Sequence, residues 1–421
     1  MPDTIFALSS GALPAGIAVV RVSGPDAFAA LVTLAGRVPD RRVATLAPLH
    51  DGDALIDRAL VLAFPSPASA TGEDVAEFHV HGGPAVVAAL LSCLGKQPGL
   101  RPARPGEFTR RAFDNGRIDL SQAEGLADLV AAETEAQRRT AQAQLDGAAR
   151  TQVEAWRNAI LDLRADAEAG LDFAEAEDDV APDPGSTATL GRLIGELEAA
   201  VSDAPRAVAL REGLTVVVSG LPNAGKSSLV NMLSRREVAI VSPHPGTTRD
   251  AIEVRLDLGG VLVTLVDTAG LREATDPVEA EGIARARARA DTADLVLSLW
   301  CEGEPPVSGV PVRTKIDCST WNSGGLAVSN VTGAGIDRLT GWLADWAQAT
   351  VRPTDPPILG QQRHRAACAA ALAALRETDV DDPVLCAESL RAAGAALAAV
   401  TGAMGVEDVL DRVFARFCIG K

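Results

Sequence analysis

The sequence predicts three domains: an α+β domain at the N-terminus, an α-helical domain, and an α/β P-loop domain inserted into the helical one. Short apolar strand patterns and one helix occupy residues 1–117. Ala-rich stretches with apolar residues at three- and four-residue spacing fill residues 118–211 and 354–421. Between them, residues 212–353 alternate strand and helix patterns around a Gly-rich GxxxxGKS segment.

The composition indicates a folded protein of several domains. The 421 residues, 47% of them hydrophobic and 23% charged, can bury separate cores. No stretch approaches the ~20 consecutive apolar residues of a membrane span, and the first residues lack the basic segment of a signal peptide. The six cysteines contain no CxxC pair, which favours a reduced, cytosolic protein without a structural zinc site.

The charge balance restricts how nucleic acid could bind. The formal net charge is −17, and phosphate contacts need lysine and arginine, so non-specific binding is disfavoured. Any nucleic acid must therefore meet a local basic patch or a basic partner protein. Only four of the 39 cationic residues are lysine. The planar guanidinium of arginine cannot replace the compact ammonium of lysine at every site. The lysines that stand in motifs are therefore functional candidates.

The elements of the first two domains follow from local periodicity. Strands are predicted at 4–9, 16–23, 59–64 and 75–80, and a helix at 85–95. Helices are predicted from 118 to about 175 and at 187–201, 361–377, 384–400 and 406–417. The acidic run Glu175–Asp183 predicts a loop. Because domain insertion favours neighbouring termini, one interrupted helical domain is the simpler interpretation, and two unrelated helical domains are the alternative.

The segment from Gly220 to Ser228 (GLPNAGKSS) predicts a phosphate cradle. It follows the apolar strand 214–219 and precedes a helix, which is the context that the motif requires. Its glycines let main-chain amides wrap the phosphates at the helix N-terminus. Lys226 would reach the β- and γ-phosphates, and Ser227 would bind Mg²⁺. The cradle residues predicted to contact nucleotide are Asn223, Ala224, Gly225, Lys226, Ser227 and Ser228.

Two later segments complete the predicted phosphate site. A second strand ends in DTAG, where Asp267 would hold Mg²⁺ through water and the Gly270 amide would contact the γ-phosphate, with Thr268 and Ala269 between them. The segment 246–250 (GTTRD) predicts a switch loop whose threonine completes the Mg²⁺ shell. Its position between the cradle and DTAG is what makes this short motif informative.

The residue after DTAG is Leu271, which cannot orient the attacking water as glutamine does in many GTPases. Another group must therefore position that water. The nearby carboxylates are Glu273, Asp276 and Glu279, and an ordinary solvated acidic loop is the alternative interpretation of all three.

Base selection is predicted for the segment 314–317 (TKID). A carboxylate at Asp317 can accept two hydrogen bonds from guanine N1 and N2, whereas adenine offers no such pair. The usual element is NKxD, so Thr314 before Lys315 is a departure. The closing loop, usually SA, reads Ser329-Asn330 before Val331. The four elements occur in the order of a Ras-like GTPase domain, so GTP is favoured over ATP.

Together these segments resemble the MnmE (TrmE) family, the GTPases of tRNA wobble-uridine modification. The shared segments are GLPNAGKSSLVN (220–231), AIVSPHPGTTRD (239–250), DTAGLRE (267–273), ARPGEFTRRAF (103–113) and CIGK (418–421). The last two are the specific ones, because other P-loop GTPases share the cradle. The resemblance covers the whole chain and implies an N-terminal folate-binding, dimerising domain, a helical domain and an inserted GTPase domain.

The resemblance also implies a potassium ion that promotes pairing of the GTPase domains and acts where an arginine finger otherwise would. The matching positions are Asn223, Ser242, His244 and Thr247. His244 replaces a more familiar apolar residue, although the family uses the main-chain oxygen at that position. Thr248 matches the Mg²⁺ threonine, and Glu279 matches the glutamate that orients water.

A folate site is implied in the same way. Arg21, Glu77, Arg117 and the terminal Lys421 match the family's contacts to a tetrahydrofolate derivative, 5,10-methylene- or 5-formyl-tetrahydrofolate. Three surface charges at strand ends and a frayed tail are the alternative. Cys418 matches a residue with a proposed role near the chemistry, and a buried small hydrophobe is the alternative because no activating histidine is visible.

The function implied by the resemblance is potassium-dependent GTP hydrolysis in the cytoplasm, coupled to tRNA modification. A homodimer would form a heterotetramer with an MnmG-type partner that uses FAD and NADH. Together they would add an aminomethyl or carboxymethylaminomethyl group to C5 of the wobble uridine, with methylene-tetrahydrofolate as one-carbon donor. A ribosome-assembly GTPase is the alternative, but it would need a basic RNA-binding module. A dynamin-like membrane GTPase would need an apolar or polybasic tip, which is lacking.

Overall fold

The computed structural model describes residues 3–174, 184–236, 238–240, 253–267, 293–318, 325–351, 359–380 and 382–402, together with residues 413, 414, 417 and 420. The chain divides into two compact units. One comprises Met1–Ala127 with Ala398–Lys421, and the other comprises Asp128–Leu397. The domain boundaries drawn from the sequence stay a prediction.

The first unit contains a six-stranded sheet in the order β3-β4-β5-β2-β1-β6. Its strands are β1 (Thr4–Leu8), β2 (Ala15–Ser23), β3 (Thr45–Asp51), β4 (Ala54–Phe64), β5 (Val75–Gly82) and β6 (Leu100–Pro102). Neighbours are antiparallel except for the parallel pair β1 and β6. The predicted strands are confirmed, and β3 and β6 are additions that sequence periodicity missed.

One face of this sheet is covered by α1 (Ala27–Ala35) and α2 (Pro84–Gly95). Side chains alternate along each strand, so Ala18, Val20 and Val22 of β2 are buried beneath the helices. The intervening residues Ile17, Val19 and Arg21 point to the other face. This alternation places the predicted folate-site residues Arg21 and Glu77 opposite the helices.

The RPGEF segment (104–108) leads into α3 (Glu107–Asp114), and a cluster of ion pairs joins this helix to the rest of the first unit. Arg101 Nη1 donates to Glu107 Oε2 at 2.9 Å, and Arg111 Nη1 donates to Glu73 Oε2 at 3.0 Å. Burial raises the pKa of Glu107. Hydrogen bonds from the Arg101 guanidinium and the Arg104 amide nevertheless keep this pKa below its ordinary value. These ion pairs therefore hold α3 against the sheet.

The helices after residue 117 confirm the predicted helical stretches within the described residues. They are α4 (Leu120–Ala131), α5 (Glu135–Leu145), α6 (Ala148–Ala174), α7 (Pro184–Glu212), α10 (Gln362–Arg376) and α11 (Pro383–Thr401). Helix α7 is longer than predicted. A Thr134–Gln137 capping box starts α5. The predicted loop at 175–183 lies outside the described residues, and so does most of the helix predicted at 406–417.

By length and composition, the segment Val384–Thr401 could cross a membrane. This is weak support for a span, because core helices of soluble proteins pass the same test. Leu390, Ala393 and Leu397 form its buried side. We therefore interpret α11 as a packed helix.

The second unit contains the α/β sheet, in the order β12-β11-β10-β7-β9-β8. Its elements are β7 (Leu214–Gly220), α8 (Lys226–Leu233), β8 (Glu253–Leu258), β9 (Val261–Asp267), β10 (Leu295–Trp300), β11 (Val310–Arg313), β12 (Leu326–Ala327) and α9 (Ile336–Val351). All neighbours are parallel except β8 and β9. Parallel strands end at one edge of a sheet, so the motifs after β7, β9 and β11 meet there.

Candidate functional site

The predicted phosphate cradle lies between β7 and α8. Gly220 has a φ of 146°, and a Cβ on it would lie 2.4 Å from Leu299 O of the neighbouring strand β10. Only glycine fits there, because the obstacle is main chain. Asn223 and Gly225 also have positive φ, at 66° and 91°, so the loop turns sharply into the helix. The first amides of α8 have no partner within the helix and can therefore donate to an anion.

Lys226 and Ser227, the first two residues of α8, both lie at this cradle. Lys226 Nζ donates to Gly220 O at 2.9 Å and to Leu221 O at 3.1 Å, so the ammonium bridges the loop's own carbonyls. Ser227 Oγ donates to Asp267 Oδ2 at 2.5 Å. The structure therefore brings together Ser227, which was predicted to bind Mg²⁺ directly, and Asp267, which was predicted to hold it through water.

These oxygen atoms suit a hard divalent cation. Mg²⁺ is usually held by one or two protein oxygens, with phosphate oxygens and water completing its shell. Asp267 ends β9 with only 3% of its surface exposed, so its carboxylate is held in place by the strand. Among the described residues, no three His, Cys, Asp or Glu side chains form a group that could hold a metal ion.

The predicted base-reading carboxylate, Asp317, is held by two neighbours. Ser329 Oγ donates to its Oδ1 at 2.5 Å, and Cys318 Sγ donates to its Oδ2 at 3.2 Å. These bonds, that of Ser329 first, lower the pKa of Asp317 below its ordinary value. The carboxylate is therefore ionised at neutral pH, as acceptance of two guanine N–H groups requires. Sequence reasoning did not anticipate Cys318.

The base-contact loops also touch the cradle. Thr314 Oγ1 donates to Ala224 O at 2.8 Å, and Asn330 Nδ2 donates to Gly225 O at 3.0 Å. The amides of Val331 and Thr332 donate to Ser329 Oγ at 3.3 and 3.1 Å, which fixes the closing loop. Thr314 and Asn330, the two residues that differ from the usual base-contact elements, therefore both contact the phosphate loop.

The structure leaves part of the predicted site undescribed. The cradle, Asp267 and the two base-contact segments come together at one sheet edge. The site residues that lie outside the described residues are Ser242, His244, Thr247, Thr248, Thr268, Ala269, Gly270, Glu279, Cys418 and Lys421.

In the first unit, two of the predicted folate residues are paired on the face of the sheet opposite α1 and α2. Arg21 Nε and Nη2 donate to Glu77 Oε1 at 2.9 and 2.8 Å. His79 Nε2 lies 3.1 Å from Glu77 Oε2, and the Arg21 guanidinium lies 5.8 Å from the Phe108 ring centroid. Sequence reasoning missed His79, although its two-residue spacing from Glu77 on one strand predicts a shared face. Arg117 is exposed beside Gly72.

Gly420 lies against the same unit. Ser9 Oγ donates to Gly420 O at 2.8 Å, and Gly420 has a φ of 102°. A Cβ on Gly420 would lie 2.0 Å from Leu8 O, so Gly420 lies directly against the end of β1. The penultimate residue is thus held by the sheet that carries Arg21.

Comparison with known proteins identifies close relatives. The family model "GTP-binding protein TrmE N-terminus" matches residues 4–117, and "MnmE helical domain" matches residues 120–418. The tRNA modification GTPase MnmE of Methylobacterium radiotolerans is 51% identical over 447 residues, covering 100% of this chain and 99% of that protein. The protein of the same name from Methylorubrum populi is 52% identical over 437 residues, covering 100% and 98%.

Solved structures were also compared. The G domain of the T. maritima FeoB iron transporter is 24% identical and covers 32% of this chain and 99% of that domain, with a TM-score of 0.23. A GTP-binding protein of Sulfolobus solfataricus in complex with GDP is 14% identical and covers 46% of this chain and 67% of that one, with a TM-score of 0.22. These scores are too low to support any inference.

Proposed function

Because this chain belongs to the MnmE family of tRNA modification GTPases, and is a GTP hydrolase of tRNA modification, we propose that it hydrolyses GTP at the sheet edge described above. The observation that supports this assignment of the site is the convergence of Lys226, Ser227, Asp267 and Asp317 there. We assign the base choice to Asp317, whose two carboxylate oxygens match the N1 and N2 donors of guanine.

The phosphate chemistry follows from the cradle. On nucleotide binding, Lys226 Nζ exchanges the carbonyls of Gly220 and Leu221 for the β- and γ-phosphates. Ser227 and Thr248 would bind Mg²⁺ and Asp267 would hold it through water, and the ion would supply positive charge to the phosphate oxygens. Glu279 orients the attacking water, since Leu271 cannot. Thr248 and Glu279 rest on the family resemblance.

Potassium is the proposed activating ion. Asn223 sits at the cradle with a positive φ, exposed to solvent, where its side-chain oxygen can face a monovalent cation. The other proposed ligands, Ser242, His244 and Thr247, belong to the switch segment. Bound K⁺ would supply positive charge to the leaving phosphate, in place of an arginine finger.

A tetrahydrofolate derivative is the proposed ligand of the first unit. Arg21 and Glu77 offer a guanidinium and a carboxylate on the sheet face opposite α1 and α2, and Arg117 and Lys421 would add positive charge for an acidic folate tail. Glu77 Oε1 already accepts both Arg21 bonds, so the pair is rigid enough to orient a pterin edge. Cys418 has a proposed role beside this ligand.

The same face supports homodimerisation. Ile17, Leu46 and Leu60 are 65%, 64% and 43% exposed, respectively. Register places Leu46 opposite Leu60, Leu60 opposite His79 and Ile17 opposite His81, so three exposed apolar side chains lie on one face, with the two histidines of β5 between them. Exposed apolar side chains grouped on one surface are typical of a protein interface. We assign it to a second copy of this chain.

The reaction is proposed to be completed by a partner. An MnmG-type protein would supply FAD in a heterotetramer and help the acidic chain meet tRNA, since the net charge is −17. The product is an aminomethyl or carboxymethylaminomethyl group at C5 of the wobble uridine. GTP hydrolysis would drive domain rearrangement and would not take part in carbon transfer itself.

The decisive experiment supplies the tagged full chain to cells from which its own gene has been deleted, and then captures the chain from their cytoplasm. We expect a flavin-absorbing partner to copurify and modified wobble uridine to return in tRNA. Lys226→Ala should lose GTP binding and restore no modified uridine, and Arg110→Ala, a change at a half-exposed position outside the site, is the control. Recovery of ribosomal subunits with unmodified tRNA would instead support a ribosome-assembly GTPase.

A further inference from the structure

The base-contact loops hold the phosphate loop with two side chains that reach consecutive carbonyls. Thr314 Oγ1 lies 2.8 Å from Ala224 O, and Asn330 Nδ2 lies 3.0 Å from Gly225 O. Thr314 is completely buried. Residues 314 and 330 are the two positions at which this chain departs from the usual NKxD and SA elements.

The donor counts explain why two residues are needed. An asparagine amide carries two N–H donors, whereas a threonine hydroxyl carries one. The single Thr314 hydrogen is directed at Ala224 O, with Trp300 O farther away at 3.3 Å. Threonine therefore has no second hydrogen for Gly225 O. Asn330 provides a hydrogen to that carbonyl from the other loop.

We propose that Thr314 and Asn330 form a two-part clasp in which the departure at 330 compensates the departure at 314. Asn330 is thus a positioning residue for guanine nucleotides in this chain. The proposal rests on the nucleotide site assigned above and adds a residue whose role lies in holding the two loops together.

The amide of Asn330 is retained despite an unfavourable environment. Its Oδ1 is buried and has no hydrogen-bond partner among the described residues. A buried acceptor without a partner is destabilising by about 1–3 kcal/mol. The alanine of the usual element would avoid this, so the benefit must come from the Nδ2 bond to Gly225 O.

The clasp acts next to strained backbone. Asn223 of the phosphate loop and Lys315 of the base loop, neither of them glycine, have φ of 66° and 58°. Such conformations persist only when surrounding contacts hold them. Ser329, next to Asn330, also orients Asp317. One loop therefore sets both the base-reading carboxylate and its spacing from the cradle.

A double-mutant cycle on the full chain tests this proposal. The four proteins are wild type, Asn330→Ala, Thr314→Asn and the double variant, which has both usual residues. Dissociation of fluorescent mant-GDP and the affinity for GTP are measured for each. We expect Asn330→Ala to speed dissociation roughly five-fold in the wild-type background, as loss of one hydrogen bond implies. In the Thr314→Asn background the same change should have less than a two-fold effect.

Further readouts separate positioning from general stability. Asn330→Ala should raise the KM for GTP by a larger factor than it lowers kcat, whereas Asn330→Asp, which places an oxygen against Gly225 O, should lose more affinity. Asn231→Ala, an exposed asparagine on α8, is the matched control and should bind like wild type. Thr314→Ser should keep affinity where Thr314→Val loses it.

Two results would overturn the clasp. One is an unchanged dissociation rate in Asn330→Ala, and the other is an equal loss in both backgrounds, since the two residues would then act independently. Failure of the wild-type protein to bind mant-GDP would overturn the nucleotide site, and the clasp with it, so it is distinguishable from failure of the clasp alone.

Discussion

Replacing Gly420 by alanine should undock the C-terminal tail from the N-terminal sheet. The added Cβ would lie 2.0 Å from Leu8 O and 2.8 Å from Leu8 C. Both atoms are main chain, so neither can swing aside as the end of a flexible side chain could. The tail must therefore shift, and the 2.8 Å hydrogen bond from Ser9 Oγ to Gly420 O is lost.

The size of the effect follows from the backbone strain of the docked state. Holding alanine at the φ of 102° costs about 1–3 kcal/mol. A cost of about 2 kcal/mol lowers the equilibrium constant for docking about 30-fold. If Lys421 completes the folate site, the affinity for tetrahydrofolate falls by a similar factor.

The assay is a titration of full-length protein with 5-formyl-tetrahydrofolate, with GTP hydrolysis measured on the same sample. Hydrolysis should stay near wild type, because the nucleotide site lies elsewhere in the chain. Gly11→Ala is the matched control, since its Cβ would meet nothing within 4 Å. Ser9→Ala should lower the affinity for 5-formyl-tetrahydrofolate only about five-fold. Wild-type folate affinity in Gly420→Ala would refute the reasoning, and deletion of 419–421 should reproduce the loss.

GTP hydrolysis should be faster in K⁺ than in Na⁺, because Na⁺ is too small for a ring that includes Asn223; equal rates in the two salts would contradict this. Asp317→Asn should shift preference from guanine towards xanthine nucleotides, and unchanged GTP affinity would exclude the segment 314–317 as base reader. Glu279→Ala should keep GTP affinity but lose single-turnover hydrolysis, whereas Lys226→Ala should lose both. The folded pKa of Glu107 lies below its ordinary 4.5. Its contribution to stability is therefore present above pH 4.5 and is lost as pH falls through the lowered value. In Glu107→Gln, the free energy of unfolding measured with urea should therefore depend less on pH over that acid range.

Short-range patterns were sufficient for most elements and for the order of the nucleotide motifs. The strand at 16–23 was predicted from its own apolar residues, and the structure has β2 at Ala15–Ser23. The strand, cradle and helix at 214–233 were predicted for the same local reason. The short strand β6 was missed, since three residues are too few to show a period.

Contacts between residues far apart in the chain were decided by the tertiary structure. Thr314 and Ala224 are 90 positions apart, Asn330 and Gly225 are 105 apart, and Ser9 and Gly420 are 411 apart. No local pattern encodes such pairs, because each depends on how sheets and helices bring loop ends together. The residue types at 314 and 330 therefore looked like two separate departures in the sequence, and only the fold shows that both side chains hold the same phosphate loop.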